Sequence, residues 1–390
     1  MNKVDRVMRR PAGPEKALAS RTPREALLIS GHDYRSKRKA NVHFIGASLK
    51  RYGKVNFYSI GFSFLSRLKH DPRTELWPAA NRVCAHDDVG CYLERNLVHP
   101  FNTHRSWMKT PEALWFSGYR VRPRSQLWSW VKAADTIILE SGVSIMLAQQ
   151  IARANPAASL IYMASDDLTT IGCADYLHEC LERSASVVDY AVLPSRLLAP
   201  AMPSGMKLIE VPHGLDQAPY SARQPSPYSP GVNAVSVGSM LFDANFFEIV
   251  CRRFPEVKFH IIGGGQQSLR VNAGNAVVMP EMPFTETVRY IQHASIGIAP
   301  YVAAGAPYYL SDTSMKLMQY QAAGINAVCP TFAVGEKAGR FGYDPGSEAS
   351  IAQAVRDALR TPPVAASGFL NWDEVTDRIL APDDFADTRI

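Results

Sequence analysis

Thr136-Ile137-Ile138-Leu139-Glu140 is followed by a helical stretch from Ser144 to Ala154 that Pro156 stops, and then by Ser159-Leu160-Ile161-Tyr162-Met163 with a polar turn, Ala164-Ser165-Asp166-Asp167. Two five-residue apolar runs rich in β-branched side chains, separated by a helix, describe a strand, a crossover and a second strand. A helix between two strands lets the second run parallel to the first, and a parallel strand covered on both faces needs an unbroken apolar run. The rest of the chain repeats this pattern. Upstream and downstream lie the expected strands Ala26–Ser30, Val55–Ile60, Tyr190–Leu193 and Leu208–Val211, with a helix from Asn41 to Arg51 ended by Gly53. Residues 71–124 are less regular. Gln217 to Asn233 holds Pro219, Pro225, Pro227 and Pro230 among Ser221, Ser226 and Ser229, and is expected to be a linker without regular structure. Beyond it the alternation resumes: strands Ala234–Val237, Val257–Ile262, Ala276–Met279, Ile296–Pro300 and Ala327–Cys329, with helices Ala244–Phe254, Thr285–His293, Ser314–Ala323 and Glu348–Leu359.

The expected fold is therefore α/β, with two doubly wound Rossmann-like lobes facing across a cleft. At roughly 150 residues per domain, 390 residues suit two such lobes. The divisions are a basic tail (1–22), a first lobe (23–216), the Pro/Ser linker (217–233), a second lobe (234–370) and a C-terminal segment (371–390) that returns to the first lobe. No tandem repeat suggests a solenoid. A composition of 46% hydrophobic and 20% charged residues excludes a disordered or fibrous chain. Six cysteines without a Cys-x-x-Cys fit neither a disulfide framework nor a zinc site, and point to buried free thiols in a reducing cytoplasm. No eighteen apolar residues run together, and charges at Lys3, Asp5, Arg6, Arg9 and Arg10 mark the start, so neither a spanning helix nor a cleavable signal is expected.

The net charge of +6 conceals +13 on residues 1–150 and −7 on the remainder. The first lobe thus faces something anionic: nucleic acid, anionic lipid or a phosphorylated substrate. Its large rings (Phe57, Tyr58, Phe62, Phe64, Phe101, Trp107, Trp115, Phe116, Tyr119, Trp128, Trp130) are interleaved with Arg67, Lys69, Arg105, Lys109, Arg120, Arg122 and Arg124. Such a mixture suits a lipid headgroup boundary, and equally a core helix with a solvated basic face.

In open α/β sheets ligands bind beyond the carboxyl ends of the strands, so the residues after each strand are the candidates for chemistry. The stretch Asp312-Thr313-Ser314-Met315-Lys316-Leu317-Met318-Gln319-Tyr320-Gln321-Ala322-Ala323-Gly324 opens a helix on a polar cluster and closes it on glycine. The unpaired N–H groups at its start favour a phosphate, and Lys316 adds a full charge in the first turn. Alone, the segment would also serve as an ordinary capped helix. Ile298-Ala299-Pro300-Tyr301 ends a neighbouring strand, where the Tyr301 hydroxyl could meet a diphosphate or the ring could simply pack. Pro280-Glu281-Met282-Pro283 ends another, where backbone groups could hold a flat base. Met315 could pack in the core as such residues more often do, or, from its place between Ser314 and Lys316, contact the nucleotide. Gly263-Gly264-Gly265 is a turn near the donor, without a dinucleotide fingerprint. Gly31-His32-Asp33 follows the first strand, where such folds often receive the acceptor; a satisfied loop histidine is expected there rather than a catalytic one. Asp166 and Asp167 end an acceptor-lobe strand; one could act as a base while the other caps the next helix, and both could simply cap or solvate. The absence of an Asp-x-Asp triplet leaves no usual holder for a divalent metal on a sugar nucleotide, so no metal or other cofactor is expected.

The order strand, Pro-Glu-Met-Pro, helix, Ile-Ala-Pro-Tyr, Ser-Met-Lys, helix, Ala-Ala-Gly resembles the nucleotide-sugar lobe of GT-B glycosyltransferases over about 150 residues, and Val211-Pro212-His213-Gly214-Leu215-Asp216 resembles their interlobe junction. Within that superfamily the whole chain resembles the bacterial xanthan-type glucuronosyltransferases. The resemblance implies transfer of a β-linked glucuronic acid from UDP-glucuronate to the mannose of a polyprenyl-diphosphate-linked oligosaccharide in exopolysaccharide synthesis, with inversion. It gives the catalytic role to Asp166 and places Met240 near the donor, with Gln319 as a neutral partner of the nucleotide. Retaining members carry two Glu where this chain has Ser311 and Gln319, which speaks against retention. The implied partners are the UDP-sugar, the lipid-linked acceptor and the anionic inner face of the cell membrane, on which a cytoplasmic enzyme would dock peripherally, with no role for nucleic acid. The alternatives are a UDP-sugar epimerase of the same fold and a non-catalytic polyanion-binding protein.

Overall fold

A computed structural model of the chain describes residues 23–68, 71–363 and 368–390. The basic tail (1–22) and Lys69 lie outside the described residues. Two compact units partition the chain: residues 23–212 with Trp372–Ile390, and His213–Asn371.

The first unit is built on β1 (Glu25–Ser30), β2 (Lys54–Ser63), β3 (Val83–His86), β4 (Val89–Asn96), β5 (Thr136–Glu140), β6 (Ser159–Met163), β7 (Tyr190–Leu193) and β8 (Leu208–Glu210). They form one sheet in the order β3-β4-β2-β1-β5-β6-β7-β8. All pairings are parallel except β3 with β4. Leu27, Leu28, Ile29, Ile137, Ile138 and Leu139 are fully enclosed, as strands covered on both faces require. β1 pairs with β2 on one side and β5 on the other, so the order of connection reverses there and the crevice above it is where such sheets take ligands.

The second unit has β9 (Val232–Val237), β10 (Val257–Ile262), β11 (Ala276–Met279), β12 (Ile296–Ile298), β13 (Asn326–Pro330) and β14 (Arg340–Tyr343), all parallel, in the order β11-β10-β9-β12-β13-β14. This is the doubly wound dinucleotide-fold order, with its reversal between β9 and β12.

Four local readings are corrected. Residues 71–124 contain a hairpin: Asp87 and Asp88, both at positive φ (48° and 62°), make the two-residue turn between β3 and β4 that matches strand twist. They also contain the helix Lys109–Val121. The supposed linker carries a one-turn helix, Ala218–Ser221, because Pro219 is tolerated in a first turn, and β9 already begins at Val232. The stretch after β5 starts as a 3-10 turn, Val143–Leu147, before the α-helix Ala148–Ala154, since the Ser144 hydroxyl is spent on the Glu140 carbonyl. Of the six thiols, all free, Cys84 and Cys173 are only half-buried.

In the first unit the C-terminal helix Trp372–Leu380 packs on the helix Asn41–Leu49, with Trp372 stacked on Phe44 at 4.7 Å. Ser48 and Arg51 bond to Asp373 and Asp377.

Candidate functional site

In the second unit, the loops leaving β9 and β12 are tied together: the Val302 N–H donates to the Leu241 carbonyl and the Asp243 N–H to the Pro300 carbonyl, both at 2.8 Å. Gly238 and Leu241 take φ of +88° and +52° to turn the first loop back. Against this platform ends the helix Met315–Ala322. Ser314 caps it, accepting from the Leu317 N–H at 3.2 Å, and the same Ser314 oxygen lies 2.6 Å from the Tyr301 hydroxyl. Tyr301 is fully buried, so its hydroxyl positions the cap, and its ring lies 5.2 Å below the Lys316 ammonium.

Lys316 is only 9% exposed, and its one hydrogen-bond acceptor is the Gly238 carbonyl at 3.4 Å; among the described residues no carboxylate pairs with it. Burial lowers its ammonium from 10.5 to about 7. Holding a charge there costs on the order of 4–5 kcal/mol near neutral pH, and a pairing anion would offset that cost. A helix start beside a desolvated ammonium that no carboxylate among the described residues pairs with is suited to an anion.

The helix is anchored by Tyr320, whose hydroxyl donates toward the Val235 and Ile298 carbonyls (3.2 and 3.0 Å) and accepts from the Val237 N–H at 3.3 Å. Its ring crosses β12 at Gly297, where a Cβ would stand 2.3 Å from it. Gly297→Ala therefore forces Tyr320 and the helix apart, and unfolding measurements should show a loss of about 2–4 kcal/mol; an unchanged melting temperature would refute the anchor.

The remaining expected donor residues sit around this core. Met240 is 54% exposed on the Gly238 loop, and Met315 and Gln319 are half-buried on the helix. Met282 packs against the cluster that includes Tyr301 and Leu317. Glu281 is exposed after β11, its Cα 3.3 Å from where a Gly263 Cβ would stand, so the glycine turn lets the two loops close up. The structure thus joins Tyr301, Ser314 and Lys316 directly and places the others on adjoining segments.

In the first unit Asp166 follows β6, half-buried, and its N–H donates to the Ser141 hydroxyl at 3.2 Å. Asp167 caps no helix. It is buried and accepts from the Thr169 N–H at 2.9 Å in a local turn, the next helix starting only at Asp175. Two residues that the sequence reading placed only at strand ends join the site. Glu140, last in β5, is buried, with Ser30, last in β1, donating to it. The His32 N–H donates to that serine at 2.8 Å, and His32 Nε2 lies 3.9 Å from Glu140. His32 is thus no locally satisfied loop histidine: half its side chain is exposed and its ring faces a carboxyl. Burial first, then the Arg73 charge, lowers its basicity. Burial pushes Glu140 up to about 7, with the Asp166 charge acting in the same direction. A charged residue closing a fully apolar strand beside the sheet's reversal was the available signal.

Phe57, Tyr58, Phe62, Phe116, Tyr119 and Trp130 are core residues rather than headgroup contacts. Exposed instead are Phe64, Leu68, Leu97, Trp107, Leu114 and Val121, with Arg105 over Trp107 and with Arg67 and Arg95 over Trp77. Among the described residues no helix is long and apolar enough to cross a membrane.

Residues 28–194 match the family model described as glucuronosyltransferase GumK, N-terminal domain. The chain is 43% identical to a UDP-glucuronate:glycolipid 2-beta-glucuronosyltransferase of Xanthomonas campestris pv. campestris, over 93% of this chain and 91% of that protein. Among solved structures it resembles a UDP-forming trehalose-phosphate synthase from Burkholderia xenovorans (TM-score 0.58, 11% identity, 93% of this chain and 94% of that one). It also resembles an E. coli structure described as trehalose-6-phosphate bound with UDP-2-fluoro glucose (TM-score 0.54, 10% identity, 91% and 95%). Both likenesses concern the fold, which is the two-lobed Rossmann-like architecture of GT-B glycosyltransferases.

Proposed function

The chain belongs to the GumK glucuronosyltransferase family, and from that premise we propose that it moves glucuronic acid from UDP-glucuronate to the mannose of a polyprenyl-diphosphate-linked oligosaccharide, with inversion and without a divalent metal. Lys316, unpaired at a capped helix start, is the observation that carries the donor half of this reading. The β-phosphate of UDP sits on the helix N–H groups and the ammonium, which stabilise the charge that grows as the diphosphate departs. Glu281 and Met282 border the uracil, and Met240, Met315 and Gln319 border the sugar diphosphate, with Tyr301 and Ser314 holding the helix start in place. Asp166 takes the proton from the attacking hydroxyl, which approaches the anomeric carbon from the side opposite the diphosphate.

The acceptor's lipid stays in a membrane, and the exposed apolar and arginine side chains of the first unit dock the enzyme on the anionic cytoplasmic face. Each Lys or Arg there contributes about 1 kcal/mol, screened by salt. Sedimentation with vesicles rich in phosphatidylglycerol should show binding at low salt and release at roughly 1 M salt; binding unchanged by salt would remove the electrostatic dock. The reaction itself is tested by incubating the chain with radiolabelled UDP-glucuronate and a polyprenyl-diphosphate oligosaccharide. The expected result is a β-linked glucuronosyl product formed equally with and without chelator; UDP-sugar isomerised without acceptor, or no product, would overturn it.

A further inference from the structure

We propose that Glu140 is a positioning residue of the transfer reaction: bonded by Ser30, 3.9 Å from His32 Nε2 and within the field of Asp166, it sets the basicity of Asp166 through its own charge. This rests on the glucuronosyltransferase reading, which supplies the reaction but does not assign Glu140. The residue closes β5 at the sheet reversal of the first unit, where its carboxyl is enclosed rather than solvated. Carboxylates almost never occupy such a place without a cation, and among the described residues none pairs closely here: its neighbours are the Ser30 and Ser165 hydroxyls, an imidazole and another acid.

The groups facing it come from every adjoining element. β1 gives Ser30, and the loop after it gives His32. The turn after β6 gives Asp166, and β6 itself gives the buried Tyr162. Ser144, after β5, holds the Glu140 backbone. Asp71 and Arg73 reach the site through their fields on His32, with opposite signs. Desolvation and Asp166 both favour the neutral carboxyl, and its change of charge falls near neutral pH.

The consequence has a definite sign. Below about pH 7 Glu140 is neutral and adds no charge to that of Asp166. Above it, a second carboxylate appears nearby, which makes Asp166 harder to ionise and hence a stronger base. No covalent step is added; the acceptor proton still passes to Asp166.

The test is the pH profile of kcat for E140Q, which keeps a hydrogen-bonding side chain but cannot ionise, measured beside S30A. Wild-type kcat should rise several-fold from about pH 6 to about pH 8, and E140Q should stay flat at the low-pH level with UDP affinity unchanged. S30A should move the rise to higher pH, because removing the hydroxyl withdraws a bond that favours the ionised carboxyl. A rise of the same size and midpoint in E140Q would overturn the proposal, as would an S30A profile superimposable on wild type. Carboxyl 13C NMR of glutamate-labelled protein decides independently of activity: a resonance titrating near neutral pH and missing from E140Q supports the proposal, and its absence from wild type overturns it. A wild-type chain that transfers no sugar at any pH would instead strike at the transferase reading and leave this titration to stand or fall alone.

Discussion

Asp166→Ala should lower glucuronosyl transfer by roughly two to four orders of magnitude while UDP binds as tightly as before. The size follows from what a positioned base contributes to a proton transfer, roughly 10²–10⁴-fold, and the selectivity follows from location. Asp166 belongs to the first unit, at the end of β6, whereas Lys316, Tyr301 and Ser314 belong to the second. The proposed base and the residues proposed to hold UDP therefore lie in different compact units. Single-turnover transfer with both substrates saturating, read beside tryptophan quenching by UDP, separates the two. Near-normal turnover of D166A would remove Asp166 from the mechanism; an equal loss of UDP affinity would make it a structural residue. Asp167→Ala behaves differently, because its carboxylate closes a local turn with the Thr169 N–H: it costs stability, with a smaller loss of rate.

Lys316→Met separates function from stability in the opposite direction. A residue placed for the fold would lower the melting temperature when replaced. Lys316 instead carries a desolvation cost that no carboxylate among the described residues offsets, so an apolar side chain of similar length should raise the melting temperature of the free protein. The linkage has a defined sign: a lysine whose folded value lies below its unfolded one destabilises most below about pH 7, and the effect fades as pH rises toward 10.5, so the gain from Lys316→Met is largest at low pH. UDP affinity should meanwhile fall about a hundredfold, and kcat/KM by about a thousandfold, because the ammonium serves both the bound diphosphate and its departure. Calorimetric melting with and without UDP checks both halves. A destabilised variant that still binds UDP would contradict the assignment.

How far the sequence alone reaches depends on what each segment must bury. β5 and β6 coincide residue for residue with the runs Thr136–Glu140 and Ser159–Met163, because strands covered on both faces tolerate only apolar side chains between their ends. β14 escaped notice: Arg340-Phe341-Gly342-Tyr343 has no apolar run and becomes a strand only by pairing with β13. The C-terminal helix was missed for a related reason, since its apolar face answers Phe44, more than three hundred residues earlier. The proline-rich stretch misled because composition cannot distinguish a proline in a first helical turn from one in a loop. In the site, Lys316 is conspicuous in the sequence because it stands two residues after the helix cap Ser314. The Glu140 pairing is silent there, because it exists only once β1 lies against β5 and brings Ser30 over the carboxyl.

The claim on which the rest depends is that the buried ammonium of Lys316, at the start of the Met315–Ala322 helix, receives the diphosphate of the donor. UDP binding at about pH 8, measured by titration calorimetry in buffers of differing ionisation enthalpy, addresses it directly. In the free protein this amine is then mostly neutral, so a diphosphate settling against it must draw a proton from the buffer. The expected result is uptake of about one proton per UDP, lost in Lys316→Met; UDP binding with no proton uptake, at an affinity the substitution leaves intact, would contradict the account.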